Sequence, residues 1–253
     1  MRLRPHAAAV AALVLFGATA TACSPKEADQ DVAPPPSQSG SPSSDTPPAP
    51  VGDPREVVET AMAASMKASS YTMTVTTSKV EVTISIDYGS KTMSMLVDGT
   101  VDGDTVKGEV RVVDGKGYLN FTDPTGGVDT GGQWLAMAPE DVAEDDPFTV
   151  IKTIFDAGDL LGPDAQVTAE SPGVYKITPA GKTFDLPEFF TELTDPGASE
   201  FQATELRLGV GADGLVSTME LTDAKGAKTL VSMSNYGIPV KVDKPADSEI
   251  MGG

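Results

Sequence analysis

The spacing of apolar residues changes period along the chain, and each change predicts a different element. Val57, Val58, Ala61, Met62 and Met66 recur at helical spacing. Asp53 suits the N-cap ahead of them, Pro54 the first helical position, and Glu56 the third position of an acidic capping box. The spacing predicts a helix over 54–68. The period then drops to two. "YTMTVTTS" sets Tyr71, Met73 and Val75 against threonines, and "VEVTISID" sets Val80, Val82, Ile84 and Ile86 against Glu81, Thr83, Ser85 and Asp87. "TMSMLV" continues with Met93, Met95 and Val97, and "TVKGEVRVV" with Val106, Val110 and Val112. Asp-Gly pairs at 98–99, 102–103 and 114–115 read as tight turns. The result is an antiparallel meander with one apolar and one wet face.

After "GYLNF" and "QWLAM" a helical stripe returns. Asp146 is placed to cap, Pro147 to start, and Phe148, Ile151, Ile154 and Phe155 share a face. Strand signals resume at "AQVTAES" and "VYKIT". "DLPEFFTEL" offers a short helix burying Leu186, Phe189, Phe190 and Leu193. Three last strands read "FQATELRLGV", "LVSTMEL" and "KTLVSMSNY". About eleven strands and three helices predict an α+β domain, a long curved antiparallel sheet with helices against one face.

The N-terminal region follows neither period. Arg2 and Arg4 precede an uncharged, almost wholly apolar run at 7–20, which suits a secretory signal and is shorter than the roughly 20 residues of a membrane span. Cys23, the one cysteine, follows Ala20, Thr21 and Ala22. "ATAC" resembles the bacterial lipoprotein signal, in which the cysteine sulfur takes a diacylglycerol and becomes residue one. Ala20 stands where leucine is commonest. Two acyl chains anchor stably where one is marginal. The other reading is a soluble secreted protein with an incidental cysteine. Residues 24–52, rich in Pro and Ser, have too few large apolar side chains to form a core and read as a tether. The expected organisation is a signal over 1–22, a lipidated Cys23 with its tether to 52, and one folded domain over 53–253.

Charge removes several partners. The formal net charge is −19, and loss of Arg2 and Arg4 with a signal would take it to −21. Such a chain repels nucleic-acid backbones, and its bulk charge does not draw it to anionic headgroups. The one histidine, His6, would leave with the signal. The domain then has no imidazole or free thiol for triad, dyad or zinc chemistry. No phosphate-cradling glycine loop is present. Paired carboxylates remain, but with 37 acidic residues no pair stands out. No catalytic residue, cofactor or metal is expected. "DGTVDGDTVKGE" approaches a calcium-loop pattern through Asp98, Asp102, Gly103 and Glu109, yet Thr100 breaks it and strands flank it. Two turns in a meander explain it better.

The order of parts resembles the LppX/LprG-type lipoproteins of mycobacteria, related in fold to the carrier LolA. The elements that match are the lipobox, the tether, the first helix, the meander and the "GKGYLNF…GGQWLAM" hairpin with Tyr118 and Trp134. "DPFTVIKTIFDAG" and the ending "SNYGIPVKVDKPAD" match too, with Tyr236, Gly237, Val240, Val242 and Pro245 in the place of a closing strand. The resemblance implies a half-barrel with helices on its concave face around a hydrophobic cavity for acylated lipid. Members of that family are thought to move such lipid across the cell envelope. The expected partners are acylated lipid and the cell membrane, reached through Cys23 at its extracytoplasmic face; a monomer is expected, and an envelope transporter or acceptor protein is an open further partner. Candidate lining residues are Met62, Met66, Met73, Val75, Val82, Ile84, Met93, Met95, Val110 and Val112. Phe148, Ile151, Phe155, Phe189 and Phe190 would form the cover. No cation cluster is visible along the sequence to suggest a headgroup. The competing reading is a sensor or protein-binding module on the same fold, with a filled core and an exposed apolar patch.

Overall fold

The computed structural model describes residues 52–101, 104–122, 129–138, 147–152, 160–184 and 202–252. Helix α1 (Pro54–Met66) begins as the sequence dictates. The Asp53 carboxylate accepts the Arg55 N–H at 2.9 Å and the Glu56 N–H at 3.3 Å, and Pro54 fills the first turn. Lys67 ends the helix, so it stops short of the expected Ala68.

Strands β1 (Ser70–Thr76), β2 (Val80–Asp87), β3 (Thr92–Val101), β4 (Asp104–Val113), β5 (Lys116–Thr122) and β6 (Leu135–Ala136) follow. A short helix α2 (Pro147–Lys152) comes next, then β7 (Gln166–Ser171), β8 (Val174–Thr178), β9 (Ala203–Val210), β10 (Val216–Asp223) and β11 (Lys228–Ser234). A 3₁₀ turn spans Asp247–Glu249. The helix expected within 185–193 lies outside the described residues. All eleven strands form one open antiparallel sheet ordered β6-β5-β4-β3-β2-β1-β11-β10-β9-β8-β7. The chain enters at the centre with β1 and steps outward to one edge. It crosses to β7 at the opposite edge and steps back to finish at the centre with β11. The sheet is a half-barrel with few helices, and it is not closed.

The hairpins test the expected turns. Asp114 and Gly115 have φ of 52° and 71°, the left-handed pair that a two-residue turn between twisted strands requires. Asp98 and Gly99 are no turn. They lie inside β3, opposite Glu81 and Val80 on one side and Lys107 and Val106 on the other. A Cβ on Gly99 would stand 2.7 Å from the Lys79 carbonyl and 2.9 Å from Val80 Cα, so glycine is there for a close strand approach. The calcium-like segment is accordingly a β3–β4 hairpin. Its Asp98 carboxylate meets Lys107 at 3.1 Å, and Asp102 and Gly103 lie outside the described residues.

The closing segment differs from expectation in kind. After β11 the chain leaves the sheet as an extended strap, and Val240 and Val242 belong to no strand. Gly237 donates to the Ser70 carbonyl at 2.9 Å, and the Ser70 hydroxyl donates to the Ile238 carbonyl at 2.7 Å. Farther on, Arg111 donates to the Asp243 carbonyl at 3.0 Å. Trp134 N–H donates to the Glu249 carbonyl, and Met251 N–H donates to the Trp134 carbonyl. The strap contains Pro239 and Pro245. The fixed φ of proline and its missing N–H favour a strap over a ladder. The Arg111 guanidinium lies 4.4 Å from the Trp134 ring centre, and Tyr118 is buried beside β4. The strap thus closes a small second cluster on the outer face.

Candidate functional site

Strand register assembles the inner face from residues far apart in sequence. One row runs Phe121, Gly108, Val97, Val82, Val75, Val231, Met219, Leu208 and Tyr175, each opposite the next across nine strands. A second runs Leu119, Val110, Met95, Ile84, Met73 and Met233. At Gly108 a Cβ would stand 2.3 Å from the Phe121 ring, so the missing side chain is the space the ring occupies. Six methionines, Met62, Met73, Met93, Met95, Met219 and Met233, are buried in the core. Methionine is unbranched and polarizable and conforms to irregular apolar shapes.

Helix α1 covers the half of this face formed by β7, β9 and β10. Val58, Ala61, Met62 and Ser65 make its buried stripe. Ser65 Oγ accepts the Val216 N–H at 2.9 Å, which pins the helix to the start of β10. At the other end Arg55 donates to the carbonyls of Leu161, Gly162 and Ala165 at 2.8–3.0 Å and pairs with Glu59. These carbonyls precede β7, so one guanidinium ties the first helix to an edge of the sheet.

Aromatic residues gather where the inner face meets α2. Tyr71 is buried, and its hydroxyl lies 2.8 Å from that of half-buried Tyr88. Burial, followed by the neighbouring Tyr88, pushes the Tyr71 phenol far above its ordinary value. Tyr236 packs on Tyr71 with centroids 5.8 Å apart and donates to the Val216 carbonyl at 2.7 Å. Burial pushes its phenol up to about 12. Phe148 of α2 meets Tyr88 edge-on at 6.2 Å. Lys152 Nζ lies 4.7 Å from the Tyr88 ring centre, and Lys91 Nζ 5.9 Å from that of Phe148.

The expected lining residues fall as follows. Met62, Met73, Val75, Val82, Ile84, Met93, Met95, Val110 and Val112 are all buried in one core cluster, joined by Phe148 and Ile151 from α2. Met66 is half-buried at its margin. Phe155, Phe189 and Phe190 lie outside the described residues, as do Cys23 and the segment 1–51. Sequence reasoning left out the second half of the face: Ile177, Leu206, Leu208, Met219, Leu221, Val231 and Met233. Their period-two alternation in "ATELRLGV", "VSTMEL" and "KTLVSMS" carries the same signal as the first half. Tyr71, Ile86 and Val97 were legible in the same way.

The outer face is polar. Thr72 meets Ser85 and Thr74 meets Thr83 through their hydroxyls. Arg207 reaches Glu170, Glu205 and Glu220, and Lys176 and Lys228 join the same network. A groove of about 460 Å³ runs between Glu81, Leu96, Lys107, Glu109 and Asn120. Among the described residues no group of His, Cys, Asp and Glu could hold a metal ion. No helix among them is long and apolar enough to cross a membrane.

No family model and no curated protein matches the chain. Among solved structures it is similar to LprF from Mycobacterium bovis, at 15% identity and a TM-score of 0.47, over 78% of this chain and 99% of that one. The chain is also similar to an uncharacterized conserved protein from Thermus thermophilus, at 8% identity and a TM-score of 0.40, over 78% of this chain and 97% of that one.

Proposed function

We propose that the protein binds acylated lipid against the inner face of its sheet and carries it within the cell envelope. It does so as a lipoprotein held through Cys23 at the extracytoplasmic side of the membrane. The observation that carries this reading is the inner face itself. Apolar residues continue in register across nine strands of an open sheet, and methionines are concentrated among them. Such a face accepts acyl chains of varied shape, and each methylene removed from water contributes about 0.8 kcal/mol without any specific polar contact. The tether over 24–52 would give the domain reach from its anchor. No residue is assigned a catalytic role.

The test is mass spectrometry of the lipids that copurify with the full chain carrying Cys23→Ser, which removes its own acyl chains from the count. A diacyl or triacyl species at about one per protein is the expected result. A stable, folded and ligand-free protein from a lipid-rich host would overturn the reading.

A further inference from the structure

The fold sets two cations that stand far apart in the sequence over adjoining rings. Lys91 leaves the β2–β3 turn, where its φ of 53° is uncommon outside glycine, and Lys152 ends α2. Their ammonium groups sit on neighbouring rings, Phe148 and Tyr88, whose centroids are 6.2 Å apart. The rings themselves straddle a boundary. Phe148 belongs to the buried core, Tyr88 is half-buried against it, and the Tyr88 hydroxyl continues inward to that of Tyr71. Both lysines are exposed. The carboxylate nearest in the turn, Asp87, is engaged by the N–H groups of Gly89 and Ser90 at 2.9 and 3.1 Å. Neither lysine forms an ion pair with a described carboxylate.

A molecule with a formal charge of −19 repels anions over most of its surface, so a local pair of cations at the edge of an apolar face is selective by position. An ammonium is a compact point charge suited to phosphate oxygens. We propose that Lys91 and Lys152 seat the phosphate of an anionic phospholipid whose acyl chains lie on the inner face. This rests on the lipid-binding reading and names its ligand class.

The test uses the full chain with Cys23→Ser, stripped of lipid and loaded with a neutral diacylglycerol bearing one conjugated polyene chain. Polyene fluorescence reports displacement by dioleoylphosphatidylglycerol, by dioleoylglycerol and by glycerol phosphate. The phospholipid should compete about tenfold better than the neutral lipid, as two partly screened charge pairs permit. Lys91→Gln with Lys152→Gln should bring the two lipids to parity and leave dioleoylglycerol unchanged. Lys91→Arg with Lys152→Arg should keep the preference. Equal competition in the starting protein, or a preference that survives the glutamines, overturns the proposal and leaves the lipid-binding reading intact. Displacement by glycerol phosphate at comparable concentration overturns it in favour of a free-phosphate site. Failure of the polyene lipid to bind overturns both.

Discussion

Replacing Gly108 with alanine puts one methyl group where the structure has a ring. The new Cβ would lie 2.3 Å from two carbons of Phe121 and 2.8 Å from a third, against an ordinary separation of about 3.5–4 Å between carbons. The ring must therefore move by more than about 1 Å. Phe121 is 4% exposed, so movement displaces its core neighbours. Overpacking of this kind costs about 1–3 kcal/mol. Gly108 does not have a positive φ, so alanine also reduces the freedom of the unfolded chain, which returns about 0.4–1 kcal/mol. The expected net destabilisation is about 1–2 kcal/mol, read from urea unfolding as a lower midpoint at unchanged slope. Phe121→Leu should be less harmful in the Gly108→Ala background than alone, because the smaller side chain relieves the contact. A neutral or stabilising Gly108→Ala, or strict additivity with Phe121→Leu, would refute the account of the ring over the glycine.

Arg55→Met should loosen the edge carrying β7. Three carbonyls lose a charged donor, and since the Arg55 side chain is 32% exposed, water replaces part of what is lost. A loss of about 1–3 kcal/mol and faster amide exchange in β7 relative to β1 are expected; uniform exchange across the sheet would contradict the tie. Acid stability should depend on the outer network. The Lys176 ammonium, then Arg207, holds Glu205 below its ordinary 4.5, and Lys228, then Arg207, does the same for Glu220. Lowered folded values mean stability that is present above about pH 4.5 and is lost as pH falls through them. Arg207→Gln should therefore be less stable than the unaltered protein at neutral pH, and the gap should narrow below pH 4.5 in urea melts. A gap independent of pH would show that Arg207 acts through packing alone.

The local elements were legible because their signals are local. Asp53-Pro54 starts α1, and Thr/Val alternation makes β1 and β2. Asp114-Gly115 turns the chain because its left-handed geometry is a property of two residues. Asp98-Gly99 carries the same letters and lies in a strand, because what fixes it is the backbone across from it at Lys79 and Val80. The closing strap escapes the sequence for a related reason. Its partners Ser70, Arg111 and Trp134 are long-range, and nothing within "YGIPVKVDKPAD" reveals them. Nor does the sequence reveal that β1 and β11 are neighbours, the one pairing that joins the two meanders. That pairing is also what brings Met73 opposite Met233, and so extends the candidate lipid face past its first half. Lys91 and Lys152 come to adjoining rings only through the placement of α2, which explains why no cation cluster is visible along the chain.

The central position of β1 has a mechanical consequence. A strand at the rim of a sheet can be peeled away one hydrogen bond at a time. β1 is bonded along both sides, to β2 and to β11, and only α1 separates it from the N-terminal segment. Tension applied through that segment, once it passes α1, reaches the middle of the sheet and loads two ladders together in shear. The arrangement places a strand bonded along both sides next to the end through which the anchoring proposed above would pull.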